Sequence, residues 1–245
     1  MKSVFRKLRQ TFLYSNKVSK YLLYAVGEII LVVIGILIAL QINNWNEKRQ
    51  SHELEHQLLE NFKTSLQTDL SLEIIPNIQQ LKADTLNLNV LINTFNNKLP
   101  YNDSLKYIFG SVMYSKSFKY EVTAYKTFEN LGVGIITNKA LNDSILHLYN
   151  MDYPELQNNI GNFTNNLTEF NRPLLRRLFK LKQESSNSIY FIPVDTQELY
   201  KNVEFLNVLT IAKLNFTNII NQTNHNKNRV ERLIEMINEE LKNSS

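Results

Sequence analysis

The chain contains no cysteine, which excludes structural disulfides, thiolate metal sites and cysteine nucleophiles together. It has only 6 glycines and 5 prolines in 245 residues, and so few breakers favour long helices over many short strands. It also lacks a basic surplus beyond its first 20 residues. Those hold Lys2, Arg6, Lys7, Arg9, Lys17 and Lys20 and no acid, whereas the rest carries 21 basic against 23 acidic side chains. The net charge of +4 is therefore local, and no phosphate-binding surface for nucleic acid is expected. A hydrophobic content of 43% with 20% charged residues describes a folded chain long enough to bury a real core.

What the chain does have is one long apolar run. From Tyr21 to Ile42 it reads YLLYAVGEIILVVIGILIALQI, with Glu28 the single charge. At about 1.5 Å per residue these residues reach roughly 33 Å, enough to cross the hydrocarbon layer. The Leu, Ile and Val residues favour insertion by roughly 4–8 kcal/mol, against about 3 kcal/mol for Glu28. A cleaved signal peptide fits less well, because Ala39-Leu40-Gln41 lacks the small residue a cleavage site needs. The basic flank places the N-terminus in the cytoplasm and the bulk of the chain in the periplasm, with the span in the inner membrane. Tyr21, Tyr24 and Trp45 stand where interfacial aromatics anchor the two ends.

Glu28, Gly35 and Ala39 fall on one helical face, and the small pair allows a close helix neighbour. This face predicts contact with an envelope protein or self-association through the span, beyond the lipid bilayer itself. Glu28 reaching headgroup water is the plainer alternative.

The stretch from Gly27 through Gly35 and Ala39 to Trp45, Asn46 and Glu47 (GEIILVVIGILIALQINNWNE) resembles the N-terminal signature of an uncharacterised family of single-span Bacteroidota membrane proteins. A second stretch, Ala124 to Phe128, Leu131-Gly132 and Asn138 to Leu141, is similar to that family's mid-chain pattern, with Leu131 where a serine is usual. The resemblance implies a membrane location and carries no established activity.

Beyond the span, positions 74, 78, 81, 85, 88, 92, 95 and 99 alternate by four and three, a coiled-coil-like seam. Pro76 lies inside it without a capping residue or glycine, which predicts a kink in one long helix. Helices are expected from Asp103 to about Tyr114, over 122–131 closed by Gly132, and after Asn138. Asp152-Tyr153-Pro154-Glu155 resembles a capping box opening a helix to about Lys182, with Leu156, Ile160, Phe163, Leu167, Phe170 and Leu174 as its seam. Gln183–Ser188 is a polar loop, 189–194 is briefly extended, Asp195 starts another helix, and the last runs over about Val203–Lys242. The reading is all-α. It places a cytoplasmic tail at 1–20, a transmembrane helix at 21–42, a stalk helix kinked near Pro76 at 43–100, and an antiparallel helical bundle at 101–245. Asparagine pairs such as Asn158-Asn159 and Asn165-Asn166 read as compositional drift.

The only literal chemical motif is His52-Glu53-Leu54-Glu55-His56. On a helix its histidines share a face and can hold Zn²⁺, with Glu53 as general base. It is rejected as a metal site: an inner position is Glu55, no downstream third ligand has a matching pattern, and the motif lies on an expected exposed stalk. His147 reads as a packed or half-exposed histidine and His225 as solvated. No glycine-rich phosphate loop or Ser/His/Asp ordering is present, so neither enzyme chemistry nor a cofactor is expected. The sequence predicts an interaction or scaffold module in the cell envelope. A ligand-binding or sensory module is the alternative, whose signal must pass through the span because residues 1–20 are too few for an output domain. A zinc hydrolase is the remote third.

Overall fold

The computed structural model describes residues 16–112, 116–185 and 188–243; the side chains of 16–21, 23, 24, 184, 185 and 188 lie outside that description. The expected basic tail and the anchoring roles of Tyr21 and Tyr24 fall outside it. About 84% of the structure is helical. The chain divides into two units, residues 1–54 and 55–245.

The first unit holds most of helix α1, Asn16–Thr68. Its most apolar window has a mean hydropathy of 2.6 and none of it is buried. Leu31 is 73% exposed and Trp45 is 65% exposed, so this surface packs on nothing among the described residues.

In the second unit, α1 passes through a π-helical turn, Asp69–Ile74, into α2, Ile75–Asn96. Leu58, Leu59, Phe62, Leu66, Ile74 and Ile78 are buried, as are Leu81, Leu88, Leu91 and Phe95 further along. The stalk reading of 43–100 is corrected here. From Glu55 onward the helix is a core element, because its seam is covered by other parts of residues 55–245.

After two 3₁₀ turns, Asp103–Tyr107 and Phe109–Val112, come α3 (Thr123–Leu131) and α4 (Lys139–His147). Asn102, not Asp103, caps the first turn, its side chain accepting from Ser104 N. Gly132 closes α3 at φ 94°, where a side chain would be strained. Asn138 caps α4 by accepting from Leu141 N at 3.2 Å. Then come a π turn (Leu148–Asp152), α5 (Tyr153–Asn166), a third π turn (Leu167–Asn171) and α6 (Arg172–Leu178). Asp152 is not a cap. Its backbone is helical and its side chain makes no capping bond, so the helix runs through it.

Proline explains all three π turns. Pro76, Pro154 and Pro173 each stand second in the α segment after one. A proline ring crowds the carbonyl four residues back and offers no N–H to it. A wider turn relieves the clash: the N–H of the residue before each proline bonds five residues back, Ile75 to Leu70, Tyr153 to Leu148 and Arg172 to Leu167. The wider turn takes up the extra residue, so burial resumes in line beyond it, as from Leu66 to Ile74 and from Leu167 to Leu175. Phe170, a seam position by spacing, lies inside the third turn and is 68% exposed.

The all-α reading is corrected at the next element. The helix ends at Leu178 instead of Lys182, and β1 (Phe179–Ser185) pairs antiparallel with β2 (Ser188–Pro193), Leu181 opposite Phe191. Phe179 turns extended (φ −131°, ψ 143°), and the alternation Phe-Lys-Leu-Lys suits a strand better than a helix. Phe179 and Phe191 are buried in the core.

Asp195 caps the short α7 (Thr196–Leu199), accepting from Gln197 N and Glu198 N. Helix α8, Val203–Asn243, runs antiparallel to α2 and to α4–α5. The first pairing brings Phe95 to Phe205 at 5.3 Å between ring centroids, and the second brings Phe163 to Phe216 at 5.2 Å.

Candidate functional site

Glu28, Gly35 and Ala39 are all exposed, and nothing lies within 4 Å of where a Cβ on Gly35 would stand. The chain itself leaves this face uncovered among the described residues. In the HExxH stretch, Glu53 is an exposed partner of Arg49 at 3.7 Å, and His52 is exposed. Glu55 is buried, contrary to its expected place on an exposed stalk. Its carboxylate accepts from Thr137 N at 2.7 Å and Thr137 Oγ1 at 3.1 Å. It tethers the loop before α4 to α1. Among the described residues no group of three or more His, Asp or Glu side chains is arranged to hold a metal ion.

Two polar constellations emerge that spacing did not predict, and each is carried by a proline-linked π turn. Asp69, in the first, is 1% exposed. It accepts from Glu121 N at 2.8 Å and from Tyr153 Oη at 2.9 Å. Burial pushes its carboxyl up to about 6, against the lowering effect of those two hydrogen bonds. Around it lies an aromatic cage: Tyr120 and Tyr153 at 4.5 Å between ring centroids, and Tyr125 stacked on Tyr149 at 4.6 Å. Burial, then the Asp69 charge, raises the Tyr149 and Tyr153 hydroxyls. Tyr149 Oη is buried without a hydrogen-bond partner among the described residues. The cage is a closed packing unit with one acid inside.

The second constellation joins residues far apart in sequence. Asp152 Oδ2 lies 3.1 Å from His147 Nδ1 and 3.0 Å from Arg229 Nη1, and Asp152 O accepts from Asn226 Nδ2 at 3.2 Å. Arg229 Nη1 is also 2.8 Å from His147 Nδ1, and Arg229 Nε donates to His225 Nε2 at 3.0 Å. His147 Nδ1 serves one neighbour at a time: protonated it donates to Asp152, unprotonated it accepts from Arg229. The bond to His225 requires an unprotonated Nε2. Asp152 is mostly buried, whereas His147 and Arg229 are open to solvent.

Beside this cluster is a cleft of about 490 Å³ between α4 and α8. Leu148, Leu233 and Met236 line it with apolar surface, Arg229 and Arg232 give it positive charge, and His225 stands beside them. Ser144 also lines it, but Ser144 Oγ donates to Ala140 O at 2.7 Å and is not turned toward a histidine. A second groove of about 240 Å³ lies between α5 and α8. Asn159, Asn162 and Asn166 face Asn215, Asn218 and Gln222 across it, with Asn159 Nδ2 donating to Gln222 Oε1 at 2.9 Å. Part of the asparagine read as drift is thus placed in facing ladders.

The one signal for the Asp152 cluster in the sequence was His225 and Arg229 at i, i+4 on a helix. Nothing local connected that pair to His147 or Asp152.

A family model matches residues 28–217, a span that begins in the apolar run and overlaps both stretches carrying the sequence resemblance, all but Gly27. Its description is a family of unknown function, DUF6090. The chain belongs to it. The DUF6090 span covers Asp69, His147 and Asp152 and stops within α8, before His225, Arg229 and Arg232. No curated protein and no solved structure matches the chain.

Proposed function

We propose that this DUF6090 protein is a single-span inner-membrane protein of the Bacteroidota type, with its N-terminus in the cytoplasm and its helical domain in the periplasm. That domain works as an interaction or scaffold module and binds without transforming. The carrying observation is the apolar run, whose side chains are exposed from Val26 to Ile42. Water is a poor solvent for so much uncovered Leu, Ile and Val, and a bilayer is a good one. A soluble protein's core helix is buried, which argues against that alternative. Trp45, with Arg49 5.7 Å over its ring, fits the headgroup level at the end of the run. The orientation rests on the basic residues of 1–20.

The expected result is that the protein stays in the membrane pellet through alkaline carbonate washing. A reporter fused after Ser245 is active when it is one that works only outside the cytoplasm. Release into the wash, or a reporter active only inside the cell, overturns the reading.

Glu28, Gly35 and Ala39 give the span a face for a second helix, from an envelope partner or another copy. Glu28→Leu is expected to weaken a crosslinked membrane complex severalfold; an unchanged crosslink pattern removes this contact. A second reading, a ligand-binding module, is favoured by the cleft beside Asp152.

A further inference from the structure

The geometry points to an anion with an apolar body as the occupant of the cleft between α4 and α8, its oxyanion head on Arg232 and the outer edge of Arg229, its body on Leu148, Leu233 and Met236. This rests on the ligand-binding reading and names the ligand class.

The charge arrangement carries it. Arg229 is held from behind by Asp152, His147 and His225 through Nη1 and Nε. With both histidines neutral, one carboxylate balances one guanidinium, and Nη2 of Arg229 makes no hydrogen bond or ion pair among the described residues. Arg232 comes next at i+3 on the same wall of the cleft. It is exposed, and it too makes no ion pair among the described residues. The cleft therefore keeps about one uncompensated positive charge beside a preset guanidinium. A planar guanidinium fork matches a carboxylate or phosphoryl group in two parallel hydrogen bonds.

The floor decides against a bare inorganic ion. Leu148 and Leu233 are almost fully buried and show the cleft only part of their surface, while Met236 is half-buried and adaptable. Asn228 adds one amide at the rim. A volume of about 490 Å³ is that of an organic-ligand site and exceeds what a phosphate ion fills. The same head and body occur in a soluble organic acid and in an anionic lipid, and the experiment separates these sources.

The full-length chain is placed in zwitterionic nanodiscs; binding of 4-phenylbutanoate and its neutral amide is read by saturation-transfer NMR, and that of inorganic phosphate by its competition with the carboxylate. Expected is a Kd on the order of 1 mM for the carboxylate, as ligand efficiency allows for a dozen heavy atoms. The amide and phosphate bind about tenfold more weakly. Arg232→Gln is expected to lower the carboxylate affinity about tenfold while leaving the unfolding midpoint unchanged, since Arg232 packs under nothing. A second series in nanodiscs containing anionic lipid reads the source. Loss of carboxylate binding there, restored in zwitterionic discs, assigns the head to lipid; undiminished binding assigns it to a soluble acid.

Equal binding of amide and carboxylate overturns the anion assignment and leaves the ligand-binding reading standing. Phosphate binding as tightly as the carboxylate overturns the apolar body. No binding by any probe, or carboxylate binding indifferent to Arg232→Gln, overturns the site.

Discussion

Replacing Phe62 with alanine lowers the unfolding free energy by about 3–5 kcal/mol, measured by denaturant unfolding at neutral pH. Phe62 is 0% exposed. Its ring meets Phe128 of α3 edge-on at 5.8 Å and Tyr149 at 5.8 Å. Truncation leaves a cavity where three segments converge, and the aromatic neighbours cannot collapse into it without opening the cage around Asp69. Phe62→Leu, which keeps most of the volume, costs less than half as much. A loss under about 1 kcal/mol for the alanine variant would mean that the helix from Glu55 onward stands apart from the core. The stalk expectation would then be restored.

Asp69→Asn changes the shape of the stability–pH curve. The Asp69 carboxyl titrates near 6 in the folded protein, against about 3.9 in an unfolded chain. Below about pH 4 it is protonated in both states and burial costs nothing. As pH rises from 4 to 6 the unfolded chain loses its proton first, so the folded state binds more protons and stability falls. Above about pH 6 the loss is complete, at roughly 2–3 kcal/mol. Asparagine carries no charge to desolvate. Its carbonyl can accept from Glu121 N, and its amide can donate to the Tyr153 hydroxyl, which rotates to receive it. The variant is therefore expected within about 1 kcal/mol of the parent at pH 4, gaining about 2–3 kcal/mol on it by pH 7. A constant difference across that range refutes the buried-acid account.

Much of this architecture was legible in the residues. The apolar run, the seam from Ile74 to Phe95, the caps at Asn138 and Asp195 and the bounds of the last helix emerge from spacing and capping chemistry, because each is decided within a few turns. Four things were not. A capping box at Asp152 and a helical turn through it share the same residues, and only tertiary partners, Arg229 and Asn226 among them, decide between them. The strand at Phe179 is likewise fixed by pairing with 188–193, which no local propensity announces. The cleft was illegible for the same reason: it needs residues 144–152 and 225–236 side by side. Glu55 misled in the opposite direction. Its charge argued for solvent, and Thr137, far along the chain, supplies the hydrogen bonds that let it stay inside.

Each proline-bound wide turn also sets a phase. One residue advances an α-helix by about 100°, and each wide turn takes up its surplus residue so that the apolar stripes on either side stay in line. Rewinding 69–74 as an ordinary α-helix with all its residues kept would swing Phe62 and Leu66 out of line with Ile78 and Leu81, though every side chain in both stripes remained. The width of the winding, and not the side chains alone, keeps the stripes together, and two such turns each carry a carboxylate, Asp69 or Asp152, into the interior.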